Sequence, residues 1–249
     1  ILSTWKDECK PDFYNEFKNY KNIKILLNEK PKTTHNIDMQ ILSTFTALKF
    51  LDENNIKYCL KTRTDCRIHK KNSLFFLKNL LKNYPIDKKF NNLQERIIAC
   101  SVDTRKYRVY GLSDILLFSS TNNLIKYFNE KKYDSSLEEM GLPANPSLKN
   151  DTYVVNEIFL CARFLQNNNI QIKWTLEDWW KNCREIFCIV DASSLDFFWY
   201  KYEWKYEQRF NTNYTSNFEQ SMQFSDWLNL YQNPNFVFNE EFKEKWKIK

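Results

Sequence analysis

Apolar residues along the 249-residue chain come in short bursts separated by polar stretches, and the spacing within the bursts switches between two periods. Residues 1–5 are apolar with β-branched members and give way to a polar stretch at 6–12, which predicts a strand and a loop. A helix over 12–20 and a buried strand over 23–28, closed by Asn28-Glu29-Lys30-Pro31, complete a β-α-β unit. Over 38–53, Ile41, Leu42, Phe45, Leu48, Phe50 and Leu51 recur at helical spacing, with Asn36 or Asp38 placed to cap the start. Residues 56–62 read as a strand that runs into the polar cluster Arg63-Thr64-Asp65.

The alternation continues with a helix over 73–83, strands over 97–102 and 113–119, and a helix over 122–129. Residues 134–150, which hold Gly141, Pro143 and Pro146, form a loop or excursion. A helix follows over 152–167, with Val155, Ile158, Phe159, Ala162 and Leu165 on one face, and an aromatic-rich tail from Trp174 carries a strand over 186–191. Nothing in the pattern assigns an element after Trp199. The whole reads as one α/β domain with a mixed C-terminal extension, since no repeat, Gly/Ser linker or low-complexity block divides it.

Composition narrows the function classes. With 43% apolar and 17% aromatic residues the chain has ample core material and is not disordered. Two glycines, Gly111 and Gly141, exclude Gly-rich dinucleotide and phosphate loops, which need several glycines close together. The 37 basic and 31 acidic residues leave a net charge of only +6, and 29 of the basic residues are Lys against 8 Arg. Acidic residues are interleaved throughout, so no nucleic-acid partner is expected. The longest apolar runs, such as 186–190, are far short of the roughly 20 residues of a spanning helix. Seven Cys without a Cys-x-x-Cys pair, mostly inside apolar runs, read as reduced thiols of a cytoplasmic protein. The chain begins at Ile1 with neither a Met nor a charged-then-apolar leader, which reads as a trimmed or excised domain.

Three features carry candidate chemistry. Ser3-Thr4-Trp5 ends the first strand with small hydroxyls and a ring, suited to a base or ribose. Lys61-Thr62-Arg63-Thr64-Asp65 delivers one carboxylate beyond a strand's carboxyl end, where open α/β sheets place their chemistry. Asp65 there can hold Mg²⁺ or Mn²⁺ while Arg63 neutralises a phosphate, or it can simply cap the next turn. Glu157, near the start of an amphipathic helix, can take a proton from an attacking hydroxyl, or can serve only the helix dipole.

Other residues have plainer readings beside functional ones. His69 follows Asp65 by four and could share a metal with it, yet a lone exposed His in a basic loop explains it equally, and His35 fits a turn. The run Phe197-Phe198-Trp199-Tyr200 with Trp204 and Tyr206 suits either sugar stacking and membrane contact or core packing and a partner interface. Paired lysines such as Lys70-Lys71, Lys88-Lys89 and Lys131-Lys132 are solvated faces that jointly favour an anionic membrane.

The ordered set Ile-Leu-Ser-Thr-Trp (1–5), Asn36 with Gln40-Ile-Leu-Ser-Thr (40–44), Lys-Thr-Arg-Thr-Asp (61–65), Gly-Leu-Ser-Asp (111–114), Asn-Glu (156–157) and Lys-Tyr (201–202) resembles the WavE lipopolysaccharide-synthesis family over about the first 200 residues. The resemblance implies a GT-A-like, Rossmann-type mixed sheet flanked by helices, with an aromatic-rich C-terminal extension. It also implies a glycosyltransferase that moves a sugar from a nucleotide-sugar donor to a glycan or lipid-linked acceptor in lipopolysaccharide or capsule synthesis. Residues 1–130 would form the donor half, and residues 131–249 the acceptor half and extension. Ser3, Thr4 and Trp5 would meet the nucleotide, Asn36 and Gln40 the base or sugar, and Arg63 and Asp65 the diphosphate and metal. Asp114 would lie near the donor sugar or acceptor, Glu157 would be the base of an inverting transfer, and Lys201 and Tyr202 would close over the diphosphate. The enzyme would work in the cytoplasm, peripherally at the inner membrane face or with other polysaccharide-synthesis enzymes. The family's Asp-x-Asp pattern would place an acid at position 63, where this chain has Arg63, and Met39 stands where an Arg is expected before Gln40. A carbohydrate- or partner-binding module using the aromatic tail, or a nucleotidyltransferase, are the rival readings.

Overall fold

The β-α-β unit forms as the alternation predicts. In the computed structural model, which describes residues 1–33, 35–130, 156–200 and 221–239, β1 (Leu2–Trp5) and β2 (Ile25–Asn28) pair in parallel with Leu2 opposite Ile25. The intervening α1 (Pro11–Phe17) starts on a proline, whose missing N–H costs nothing in a first turn. α2 (Asn36–Glu53) then buries Ile37, Ile41 and Leu48. Its end is fixed by Asn55 in the left-handed region (φ 56) and by the Ile56 N–H bonding the Leu51 carbonyl at 2.9 Å. That closure consumes the first residues of the expected strand, so β3 covers Tyr58–Lys61 only.

β3 is the edge of a four-stranded sheet of order β3-β6-β5-β7, with β5 at Ile97–Cys100, β6 at Leu117–Ser120 and β7 at Phe187–Val190. β5 and β7 are parallel, and β6 lies antiparallel between β3 and β5. Every residue of β5, β6 and β7 is buried, which is why these segments read as apolar runs rather than alternating ones. Because β3, β5 and β7 all run against β6, their carboxyl ends and the residues that precede β6 share one edge of the sheet. A second small sheet pairs β4 (Cys66–Ile68) with β8 (Phe197–Trp199), Cys66 opposite Trp199.

Around the sheet lie α3 (Ser73–Asn83), α4 (Thr121–Phe128), α5 (Asn156–Asn167), α6 (Leu176–Ile186) and α7 (Phe224–Gln232). α4 begins where the Ser120 hydroxyl accepts from the Asn123 N–H, and α6 where the Thr175 hydroxyl accepts from Asp178 N–H at 3.2 Å. α6, α7, β4 and β8 were not assigned from the pattern. Within α6, Leu176, Trp179, Trp180, Cys183 and Ile186 keep a strict helical spacing behind that Thr cap, a signal the aromatic richness of the tail obscured. The expected excursion at 134–150 and the first residues of the 152–167 helix lie outside the described residues.

The core is one cluster in which Trp179, Trp227, Tyr110, Tyr127, Phe159, Phe164 and Phe187 are fully enclosed. All seven cysteines are free thiols, five of them buried, and burial pushes Cys100 and Cys188 up to about 12. The buried ones pack as small hydrophobes. Among the described residues no helix is long and apolar enough to cross a membrane.

Candidate functional site

The shared sheet edge gathers four candidate residues from four elements. Lys61 closes β3 directly opposite Leu117 of β6, and three residues before Leu117 stands Asp114. The Lys61 ammonium donates to the Asp114 backbone carbonyl, and the Gln40 amide of α2 donates to the Asp114 carboxylate at Oδ2. Glu157, in the first turn of α5, lies within the electrostatic reach of both Asp114 and Lys61. Asp114 is itself buried, so each charge here acts in a medium far less screening than water.

The electrostatics of this group favour proton transfer. Desolvation pushes the Glu157 carboxyl up, and repulsion from Asp114 and Asp103 adds to it against its own backbone N–H and Arg108, leaving it at about 7. Lys61 is held below the usual ammonium range, chiefly by desolvation and with help from Arg63, although Asp114, Cys66 and Glu157 pull the other way. Tyr127 of α4 completes the group. It is fully buried, its hydroxyl has no hydrogen-bond partner among the described residues, and burial, then Cys161, Asp114 and Glu157, disfavour its ionisation. A buried hydroxyl without a partner beside a carboxylate pair is a donor waiting for an acceptor.

The loop after β5 supplies the rest. Asp103, in the left-handed region, accepts from Arg105 at 2.7 Å. The turn that follows brings the Gly111 N–H to the Arg108 carbonyl at 3.0 Å. A Cβ on Gly111 would stand 3.1 Å from the Arg108 stem, so glycine lets that side chain lie over the turn that leads to Asp114.

Arg63 and Asp65 form a second, adjoining feature. The Arg63 guanidinium grips both Asp65 oxygens, at 2.8 and 3.0 Å, and the Trp199 indole N–H reaches Oδ2 at 3.0 Å. The Arg63 guanidinium also lies 5.7 Å from the centre of the Trp199 ring. Burial pushes the Asp65 carboxyl up, but Arg63 and Trp199 outweigh it and hold it at about 2. Asp65 is thus clamped, and it aims Arg63 rather than standing in an acidic nest. His69 makes an edge-on contact with Phe198 at 6.2 Å, and among the described residues no group of three or more His, Cys, Asp or Glu could hold a metal. In this arrangement both Asp65 oxygens are taken by the guanidinium, so a divalent cation would have to displace Arg63 to reach them.

The clamp gives a direct test. Its contribution of about 1 kcal/mol, after screening at the half-exposed Arg63, is present above about pH 4 and disappears as the pH falls towards 2. Thermal melts of Asp65→Asn and wild type are expected to differ at pH 6 and to converge below pH 3; a constant gap would refute the clamp.

Ser3 lies elsewhere, at a cleft of about 360 Å³ between β1 and β3 floored by Ser43, Thr44 and Ala47 of α2, with Lys61 and Thr62 on the far wall. Its hydroxyl accepts from the Asn28 amide at 2.8 Å, and the same amide bonds the Thr4 carbonyl at 2.9 Å. Thr4 and Trp5 continue β1 beyond the lining. Asn36 is exposed one turn before Gln40 on the same face of α2. Lys201 and Tyr202 lie outside the described residues, as do Trp204 and Tyr206. Sequence reasoning quoted Lys61 without a role and missed Tyr127, Asp103 and Arg108. Lys61 had a signal, since a cation ending a half-buried strand needs a partner. Tyr127 had none. No family model, curated protein or solved structure matches this chain.

Proposed function

We propose that the chain is a GT-A-type, nucleotide-sugar-dependent glycosyltransferase of bacterial surface-glycan synthesis, with Glu157 as the base of an inverting transfer. The observation that carries this reading is the half-buried Glu157 carboxyl, raised to about 7 by desolvation and by the Asp114 charge. A general base works best when its proton affinity is close to the working pH. Further support comes from placement, since Lys61, Arg63, Asp103 and Asp114 gather at the carboxyl-end edge where open α/β sheets hold ligands. An antiparallel strand between two parallel ones suits the mixed GT-A sheet, and the β1–β3 cleft falls in the size range of small-ligand sites.

In this mechanism the acceptor hydroxyl loses its proton to Glu157 as its oxygen attacks C1 of the donor sugar. The bond from C1 to the phosphate oxygen breaks, and the nucleoside diphosphate leaves with the electron pair. Arg63, oriented by Asp65 and Trp199, meets that growing charge, and Lys201 joins it if it closes over the diphosphate. Gln40 and Lys61 fix Asp114, whose charge keeps Glu157 basic enough to accept the proton. The nucleotide base and ribose take the Ser3 side of the cleft. Mn²⁺ or Mg²⁺ dependence is part of the same proposal, and no step is derived through the metal.

The test is a thermal-shift panel of UDP, GDP, CMP and their sugars, with and without Mn²⁺, on wild type and Asp65→Ala. At a hundredfold excess over Kd the matching nucleotide is expected to raise the melting temperature by roughly 5–10 °C. The shift is expected to shrink in Asp65→Ala. No shift with any nucleotide at saturating concentration would overturn the reading and favour a carbohydrate-binding module.

A further inference from the structure

α3 presents an unusual outer face. It buries Ser73, Leu77, Leu80 and Leu81 and turns Leu74, Phe75 and Phe76 outward, 55%, 68% and 36% exposed. Scattered apolar side chains on a surface are ordinary, whereas three large ones in succession on a first helical turn mark a contact surface. Leu74, Phe75, Lys78 and Lys82 share that face by helical spacing. Between Asp65 and Asp87 the chain carries Arg67, Lys70, Lys71, Lys78 and Lys82 and no carboxylate. Glu95, the acid across from Lys78 on the Tyr58 ring, accepts from the Tyr58 hydroxyl at 2.7 Å, and Lys78 lies over that same ring. The approach to the helix is held in place, because the His69 and Lys70 N–H groups bond the Asp196 and Leu195 carbonyls at 3.2 and 3.1 Å.

We propose that this face docks on an anionic lipid bilayer, with Leu74, Phe75 and Phe76 entering the boundary between headgroups and acyl chains and Lys70, Lys71 and Lys82 meeting lipid phosphates. Charge decides the occupant. A protein partner or a second copy of this chain would present acids and bases together, whereas a ring of one sign around an apolar wedge matches a surface of uniform negative charge. Lys71 is six residues from Asp65, so the docked helix start holds the Arg63–Asp65 clamp within about 20 Å of the bilayer surface. The inference stands apart from the glycosyl-transfer reading, because docking is measured without any substrate.

The experiment is co-sedimentation with vesicles of phosphatidylcholine alone and of phosphatidylcholine mixed with phosphatidylglycerol. Wild type is expected to bind the mixed vesicles and not the neutral ones. The double variants Leu74→Ser/Phe75→Ser and Lys70→Glu/Lys71→Glu are each expected to weaken binding by at least about tenfold. Their melting temperatures are expected to match wild type, since all four side chains are exposed. Absence of wild-type binding to the anionic vesicles, or equal binding by the Leu74→Ser/Phe75→Ser variant, would overturn the proposal. So would self-association of wild type in sedimentation velocity that this variant abolishes, which would assign the face to a second copy.

Discussion

Glu157→Gln is expected to lower kcat for sugar transfer by about 10²–10⁴-fold with little change in donor affinity, and at the same time to stabilise the protein at pH 8. The two effects share one cause. Glu157 sits desolvated beside Asp114, with its carboxyl raised from 4.5 to about 7. Below about pH 4.5 the group is neutral in both folded and unfolded chains and costs nothing. Between 4.5 and 7 the unfolded chain releases the proton that the folded one keeps, so stability falls with rising pH, and above 7 the full penalty stands. That penalty is on the order of 2 kcal/mol, or about 5 °C in melting temperature for a chain of this size. The neutral amide of Gln avoids it, so the variant is expected to melt above wild type at pH 8 and level with it at pH 4. Transfer by wild type is expected to rise with pH up to about 7 and then flatten. An active Glu157→Gln enzyme would remove the base assignment, while equal melting at pH 8 would remove the electrostatic account of it.

Trp179→Ala is expected to cost about 3–5 kcal/mol and to lower the melting temperature by about 10 °C. The ring has no exposed surface and packs edge-on to Tyr110 at 6.2 Å and against Phe187 at 6.3 Å. Its N–H holds the Arg105 carbonyl at 2.9 Å, and the neighbouring Trp180 holds that of Lys106 at 2.7 Å. Truncation therefore leaves both a cavity and an unpaired carbonyl on the loop that presents Asp103 and Arg108 to Glu157. Trp179→Phe, which refills most of the volume, is expected to recover more than half of the loss. Urea or thermal unfolding decides, and a Trp179→Ala protein melting within about 2 °C of wild type would show that the loop does not depend on this contact.

The parts of the fold governed by local spacing were legible in the sequence. The β-α-β unit, α2, α3 and all four strands of the main sheet come from periodicity and capping, with ends displaced by a few residues where turns such as Asn55–Ile56 intervene. Short elements defined by distant partners were not legible. β4 and β8 are three residues each and exist only because they pair with each other across the chain. The same distinction holds at the site. Asp65 and Glu157 are candidates by residue type and position and Asp114 by the resemblance alone, but the indole that clamps Asp65 and the Tyr127 hydroxyl depend on packing that no local pattern encodes. Of the two readings of the 197–200 run, core packing holds for Phe197 and Trp199, and the Trp199 indole in addition bonds the Asp65 carboxylate.

The clamp also sets an order of events during synthesis. Trp199 follows Asp65 by 134 residues, so at translation speeds of 5–20 residues per second the Arg63–Asp65 loop emerges roughly 7–27 s before its indole partner exists. Throughout that interval the Cys66–Ile68 segment has no β8 to pair with and is not yet a strand. Slowing synthesis between Cys66 and Trp199 would lengthen the time for which Arg63 and Asp65 lack their indole partner.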